Sequence, residues 1–377
     1  MLSKSKSWKS LPVVALSLFL LPSVTPAQHY KQTNLVSDIA SMAPTFDPNL
    51  KNPWGLTRSS TTPTRPGSPW WVGNNNSGTS TLYTGAGAII PINGTGTVTV
   101  PPPKGSPAGT LSTPTGVVFN GSPSDFFVAP GKSAILIFAT EDGTISGWAG
   151  GQNAVLVVDN SDNGSEHGAV YKGATSAEIA GKRFLYVSNF RSAKVEVYDT
   201  NFKRVSLGEE AFHAEEIPDG FAPFNVQNIG GTLFVTYAKQ DALRHDPVGG
   251  DGFGFVELFS PNGNHVGHLQ HGPWMNAPWG VVWTTRDFGE FSNAILVGNF
   301  RSGWIAAFNG FTHKFIGWVT NPDDSLVTID GLWSLTFGND ATAGPANTLF
   351  FTAGINNEAD GLFGTLTPVD GLDGDEE

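Results

Sequence analysis

A phrase of four residues recurs six times along the chain, and its period constrains the fold more than any other feature. The phrase is a proline, a bulky residue, a small residue and an aliphatic. It reads Pro53-Trp54-Gly55-Leu56, Pro114-Thr115-Gly116-Val117, Pro223-Phe224-Asn225-Val226 and Pro278-Trp279-Gly280-Val281. A looser copy is Leu332-Trp333-Ser334-Leu335, and a degenerate one is Tyr171-Lys172-Gly173-Ala174. In chain order the third positions lie 61, 57, 52, 55 and 54 residues apart. Each copy precedes an apolar run ending in small or polar residues, such as Trp70-Trp71-Val72-Gly73-Asn74 or Ile295-Leu296-Val297-Gly298-Asn299. A tight turn and a third strand follow. The clearest pair, Asn189-Phe190-Arg191-Ser192 and Asn299-Phe300-Arg301-Ser302, is 110 residues apart, or two periods.

Three or four short strands cannot bury both of their faces alone. Stacked radially, each sheet gains two apolar neighbours, and only short edges remain. The repeat therefore predicts an all-β, six-bladed β-propeller over residues 28–369. Small residues suit its crowded centre, and bulky ones fill the widening space between blades. A β-helix or a sandwich would supply the strands but not this period. Thr33 to Ser37 precede the first repeat and have no blade of their own. They are expected to close the ring as the outermost strand of the last blade, beside Leu362 to Leu366. Two insertions stand out: Ser122 to Lys132, expected to add an edge strand, and Ala238 to Gly252, Gly- and Asp-rich and read as a loop.

The N-terminus reads as a secretory signal over residues 1–27. Lys4, Lys6 and Lys9 give a basic start, Leu11 to Leu21 an apolar stretch, and Thr25-Pro26-Ala27 a small-residue cleavage site. The expected address is secreted or periplasmic. No segment approaches the roughly 18 apolar residues of a membrane span, so the mature form is expected to have none. The chain has no Cys, which excludes disulfides, thiolate metal sites and a cysteine nucleophile. Without its signal it carries 18 basic and 33 acidic residues, and this balance argues against a nucleic-acid partner. Residues 370–377 form an acidic, solvated tail. A monomer is expected. Four glycosylation sequons, at Asn75, Asn93, Asn120 and Asn163, matter only in a host that glycosylates.

Several further phrases carry a family resemblance. They are Asn34-Leu35-Val36-Ser37-Asp38, Asn52-Pro53-Trp54-Gly55-Leu56, Ala139 to Trp148, Ala277-Pro278-Trp279-Gly280-Val281, and Pro345 to Gly354. In these the chain resembles a family of bacterial secreted proteins similar to NHL-repeat and gluconolactonase-type six-bladed propellers. The resemblance implies fold and export, and no activity follows from the fold.

No nucleophile elbow, His-Glu-x-x-His motif or phosphate-cradling loop is present. Asp159 to Gly164 partly mimics a calcium loop, but Val170 stands where the bidentate Glu belongs, so the segment reads as a turn. Propeller geometry brings residues before the innermost strand, and after the second strand, to one mouth of the channel. The ligand-binding candidates there are Trp54, Arg191, Tyr237, Trp279, Arg301 and Trp333. The three Trp could stack on a sugar or planar ligand, although packing is their commoner role. The two Arg could clamp an anion or tie neighbouring loops.

Gluconolactonase-like propellers use such positions to hold a divalent cation. By that likeness Asn74, Glu141, Asn189, Asn299 and Asp330 are the metal candidates, for an ion such as Ca or Mg; the plain alternative for each Asn is a turn former. His265, His268 and His271 cluster in sequence without a reason to converge, and His245-Asp246 lies in the second insertion near the mouth. Two functions fit. The first is a secreted propeller binding a small molecule, glycan or protein at the mouth, and the second is a metal-assisted hydrolase or lactonase there.

Overall fold

Small residues at the third position of each phrase set the approach of the innermost strands. A Cβ on Gly55 would lie 2.4 Å from the Thr115 carbonyl oxygen, and one on Gly116 would lie 2.5 Å from the Ala174 nitrogen. Where the third residue is larger it reaches across instead. Asn225 donates to the Trp279 carbonyl at 2.9 Å, and Ser334 donates to the Trp54 carbonyl at 2.8 Å. The repeat is thus a ring of contacts, each blade touching the next at one position.

The computed structural model describes residues 29–92, 94–165 and 167–370. The expected signal segment, residues 371–377 of the acidic tail, the Asn93 sequon and the side chain of Asn163 lie outside the described residues. Six sheets, antiparallel apart from a short parallel pairing of Thr45–Phe46 with Val36 and Ser37 at the edge of the last, form a six-bladed β-propeller. Blade 1 is Pro53–Thr57, Trp70–Asn74, Thr79–Tyr83 and Thr97–Thr99. Blade 2 is Pro114–Phe119, Leu136–Thr140, Thr144–Trp148 and Val155–Asp159. Blade 3 is Tyr171–Ile179, Lys182–Asn189, Lys194–Tyr198 and Arg204–Val205. Blade 4 is Phe221–Ile229, Thr232–Gln240, Gly254–Phe259 and His265–His268. Blade 5 is Pro278–Trp283, Ala294–Asn299, Ile305–Asn309 and Phe315–Trp318. Among the described residues the only helical segments are three short 3-10 turns.

Blade 6 joins the two ends of the chain. Leu332–Phe337, Leu349–Ala353 and Leu362–Val369 are completed by His29–Ser37, antiparallel to the last of them from His29 against Val369 to Ser37 against Leu362. The closing strand is longer than its sequence suggested, because Tyr30 anchors its start. That ring is fully buried, stacks on Phe291 and donates to the Phe288 carbonyl at 3.0 Å.

The insertions differ from expectation. Phe127–Ala129 and Lys132–Ser133 pair only with each other, so the first forms a separate hairpin instead of an edge strand of blade 2. Its base is held by blade 3: Phe126 is buried against Phe202, and its backbone N–H donates to the Thr200 carbonyl at 2.9 Å. The second insertion is only partly loop. Ala238 to Gln240 extend the second strand of blade 4, and Pro247–Val248 pairs back onto Lys239 and Gln240. Apolar clusters fill the wedges between blades, for example Ile137, Ala139 and Ile145 of blade 2 against Leu185 and Val187 of blade 3.

Candidate functional site

The second positions of the six phrases are Trp54, Thr115, Lys172, Phe224, Trp279 and Trp333. The four aromatic ones join Phe190 and Phe300 in one buried cluster. Trp333 is sandwiched between Trp54 and Phe300, with ring centroids 3.5 and 4.0 Å away, and Trp279 stands edge-on to Trp54 and Trp333. Two indole N–H groups are satisfied within the plug: Trp279 donates to the Lys172 carbonyl and Trp333 to Asn52 Oδ1, both at 3.0 Å. No ring in it exceeds 5% exposure. Aromatic packing closes the channel here, and each such ring pair adds roughly 0.5–1.5 kcal/mol beyond area burial.

Lys172 is the one charged residue among these positions, and it sits over the plug. Its ammonium lies 5.2 Å from the Trp54 ring and 5.8 Å from the Phe190 ring, within cation–π reach. It donates to the Glu141 carboxylate and, at 3.2 Å, to Asp246 Oδ1. The Lys172 side chain is 1% exposed, against 58% for Asp246. A buried ammonium is tolerated only when paired and hydrogen-bonded.

Elements of four other blades surround it. Glu141, from the turn after the second strand of blade 2, also accepts from Asn75 of blade 1 at 2.7 Å. Asp246 arrives on the blade 4 insertion, with His245 Nδ1 2.9 Å from its carboxylate. Glu358, from the corresponding turn of blade 6, accepts from Asn52 Nδ2 at 2.9 Å, and its carbonyl accepts from Asn76 at 2.6 Å. Acids outnumber the base. The hydrogen bond with His245, and then Lys172, hold the Asp246 carboxyl well below the usual range. Burial, and then the negative charge of Glu141, push Glu358 up. Burial also raises neighbouring Asp142, against the hydrogen bonds it receives from Thr113.

The backbone around this group is strained. Asn52 has φ of +46°, and Asn356, Asn357 and Glu358 have φ of +57°, +53° and +67°. Asn adopts left-handed backbone readily, but for Glu358 it costs about 1–2 kcal/mol. Such outliers gather where a side chain must be aimed, and the Glu358 carboxylate and the Asn52 amide bond to each other.

The candidates from the sequence fall into distinct places. Glu141 is in the Lys172 cluster. Trp54, Trp279 and Trp333 do ring the axis, but as the buried plug, without an open face for stacking. Arg191 donates to the Gly168 carbonyl at 2.8 Å, and Arg301 donates to the Pro247 carbonyl through Nε and an Nη, so both tie neighbouring loops. Tyr237 is buried in the wedge between blades 3 and 4.

The five proposed metal ligands have no hydrogen-bond partner in common. Asn74 Nδ2 donates to Thr79 and Thr81, Asn189 Nδ2 to Glu196, and Asn299 Nδ2 to the Trp274 and Trp304 carbonyls. Asp330 accepts from the backbone of Asn356. Each Asn amide serves its own turn or an adjoining segment. Lys172 and Glu358 went unselected in the sequence. The signal for Lys172 was the degenerate phrase itself, where a cation replaces an aromatic residue.

No family profile matches the chain. Three uncharacterised proteins of Acanthamoeba polyphaga mimivirus are similar to it. One is 29% identical over 89% of this chain and 80% of its own length, and a second is 26% identical over 89% and 85%. A third is 30% identical over 67% of this chain and 47% of its own length. These relatives are viral, so the bacterial origin expected from the sequence gains no support. Among solved structures, a streptogramin B lyase matches with a TM-score of 0.47 and 11% identity over 90% of this chain and 97% of that one. Kuenenia stuttgartiensis hydrazine synthase matches with 0.48 and 13% over 83% and 76%. At these scores neither informs function.

Proposed function

We propose that this protein is a secreted binding propeller whose mouth, at the turns between second and third strands, takes an organic cation of the amine or guanidinium class. One observation carries the reading: Glu141 and Asp246 both pair with a single buried base, Lys172, and Glu358, on left-handed backbone, adds a third carboxylate whose charge it feels. The cluster already holds one ammonium in this way, its own. The exposed side of Asp246 offers a second ammonium a charge-assisted hydrogen bond. The formal net charge of −12 favours approach of a cation. An anionic ligand is disfavoured because Arg191 and Arg301 are engaged with carbonyls. The basic and apolar N-terminal segment supports export.

The second reading, a metal-assisted hydrolase, has one observation in its favour. Glu141, His245 and Asp246 each offer a ligand atom within 4.8 Å of the others. The Lys172 ammonium bonds two of these three, and its charge opposes a divalent ion.

Calorimetry with spermidine, and separately with calcium chloride, distinguishes the two. The binding reading expects spermidine to bind with an affinity that falls with salt. Glu358→Gln weakens it about tenfold, or ~1.4 kcal/mol, and Lys172→Met tightens it by removing a like charge. Calcium binding together with lactone hydrolysis, without spermidine binding, would select the hydrolase.

A further inference from the structure

On the outer edge of blade 4 a second group of side chains converges. Glu257, on the third strand, is 2% exposed, and its Oε2 lies 2.6 Å from His265 Nε2. His268 belongs to the same group, and these three residues offer ligand atoms within 4.8 Å of one another. Glu216, from the segment linking blades 3 and 4, adds a carboxylate oxygen 3.6 Å from His268 Nδ1. His265 and His268 are three apart, so in a regular strand they would face opposite sides. A β-bulge removes the conflict. Phe259 pairs with His265, but Leu258 pairs with Gly267 and Glu257 with His268, so Val266 is the extra residue. The two imidazoles therefore share the face of Glu257. Bulges recur where a strand must re-aim a side chain.

We propose that Glu257, His265, His268 and Glu216 form a site for a divalent transition-metal ion of the zinc class. Two imidazoles and two carboxylates are a donor set suited to zinc, which such groups bind at about 2.0–2.2 Å in tetrahedral geometry. The bond from His265 to Glu257 is the one a metal would replace, since zinc ligands must be deprotonated. A bound ion would pin the linker at Glu216 to the outermost strand of blade 4. The third histidine of the sequence cluster takes no part: His271 stacks on Phe255 at 4.2 Å, with its Nε2 3.0 Å from the Gly252 carbonyl oxygen.

The test titrates zinc, and then cobalt as a spectroscopic probe, into chelator-treated mature protein. The expected result is one tightly bound ion, a raised melting temperature and the strong visible bands of four-coordinate cobalt. His268→Gln removes an exposed ligand without leaving Glu257 unpaired, and it should weaken zinc at least tenfold. His271→Gln should leave binding unchanged. The proposal is overturned if no ion binds, if cobalt keeps its six-coordinate aqua spectrum, or if His268→Gln binds zinc like the parent. It is equally overturned if Glu141→Gln, at the mouth, is the change that abolishes binding.

Discussion

Replacing Lys172 with methionine tests the electrostatics of the mouth directly. The substitution keeps an unbranched side chain over Trp54 and Phe190 but removes the ammonium that pairs with Glu141 and Asp246. Breaking a buried ion pair from one side costs about 3–5 kcal/mol, because the remaining charge is left uncompensated. Glu141 is 11% exposed and Asp246 58%, so water relieves part of that cost and the low end applies. With unfolding entropy of ~2.1 cal/mol/K per residue over roughly 340 residues, ~3 kcal/mol lowers the melting temperature by about 4 °C. Calorimetric melting at pH 7.5 measures the deficit, and a second change, Glu141→Gln, should restore much of it. A variant that melts within 1 °C of the parent would show that these carboxylates do not depend on the ammonium.

Glu358 carries a raised carboxyl pKa, so its contribution to stability falls as pH rises from the ordinary glutamate value through the raised one. Glu358→Gln should therefore stabilise the protein at pH 7.5 relative to pH 4, as read by chemical denaturation at both. Tyr30→Ala removes the ring that packs on Phe288 and Phe291 at the start of the closing strand, and should cost about 3–5 kcal/mol in denaturant melts. A loss below 1 kcal/mol would show that ring closure does not depend on it. Gly116→Val places a side chain where even a Cβ lies 2.5 Å from the Ala174 nitrogen, and overpacking there should cost on the order of 1–3 kcal/mol.

The fold was legible because the repeat is a physical contact. The Gly at positions 55, 116 and 280 stands where the neighbouring innermost strand leaves no room for a side chain, so the phrase marks the axis whatever the loops do. The closing strand was legible because Thr33 to Ser37 had no other blade to join. The site was only partly legible. The axial Trp residues were found from the phrase, but sequence alone does not tell a ring that lines a channel from one that fills it. Asn74, Asn189 and Asn299 end the second strands of blades 1, 3 and 5, and recurrence around a ring is not convergence at its centre. Glu358 was hidden because it reaches the mouth on left-handed backbone at a non-glycine residue, which no local pattern signals. His265 and His268 were hidden by a bulge, since their spacing of three argues against a shared face until the register shift is known.

Whether the mouth built around Lys172 binds a cation can be seen in crystals of the protein soaked with spermidine, with the Glu358→Gln variant soaked in parallel. The expected result is one amine of the ligand against Asp246 and Glu358 in the parent, with the Lys172 ammonium still bonded to Glu141, and a weak or empty site in the variant. Ligand density away from Asp246 and Glu358, or equal occupancy in the two crystals, would contradict it.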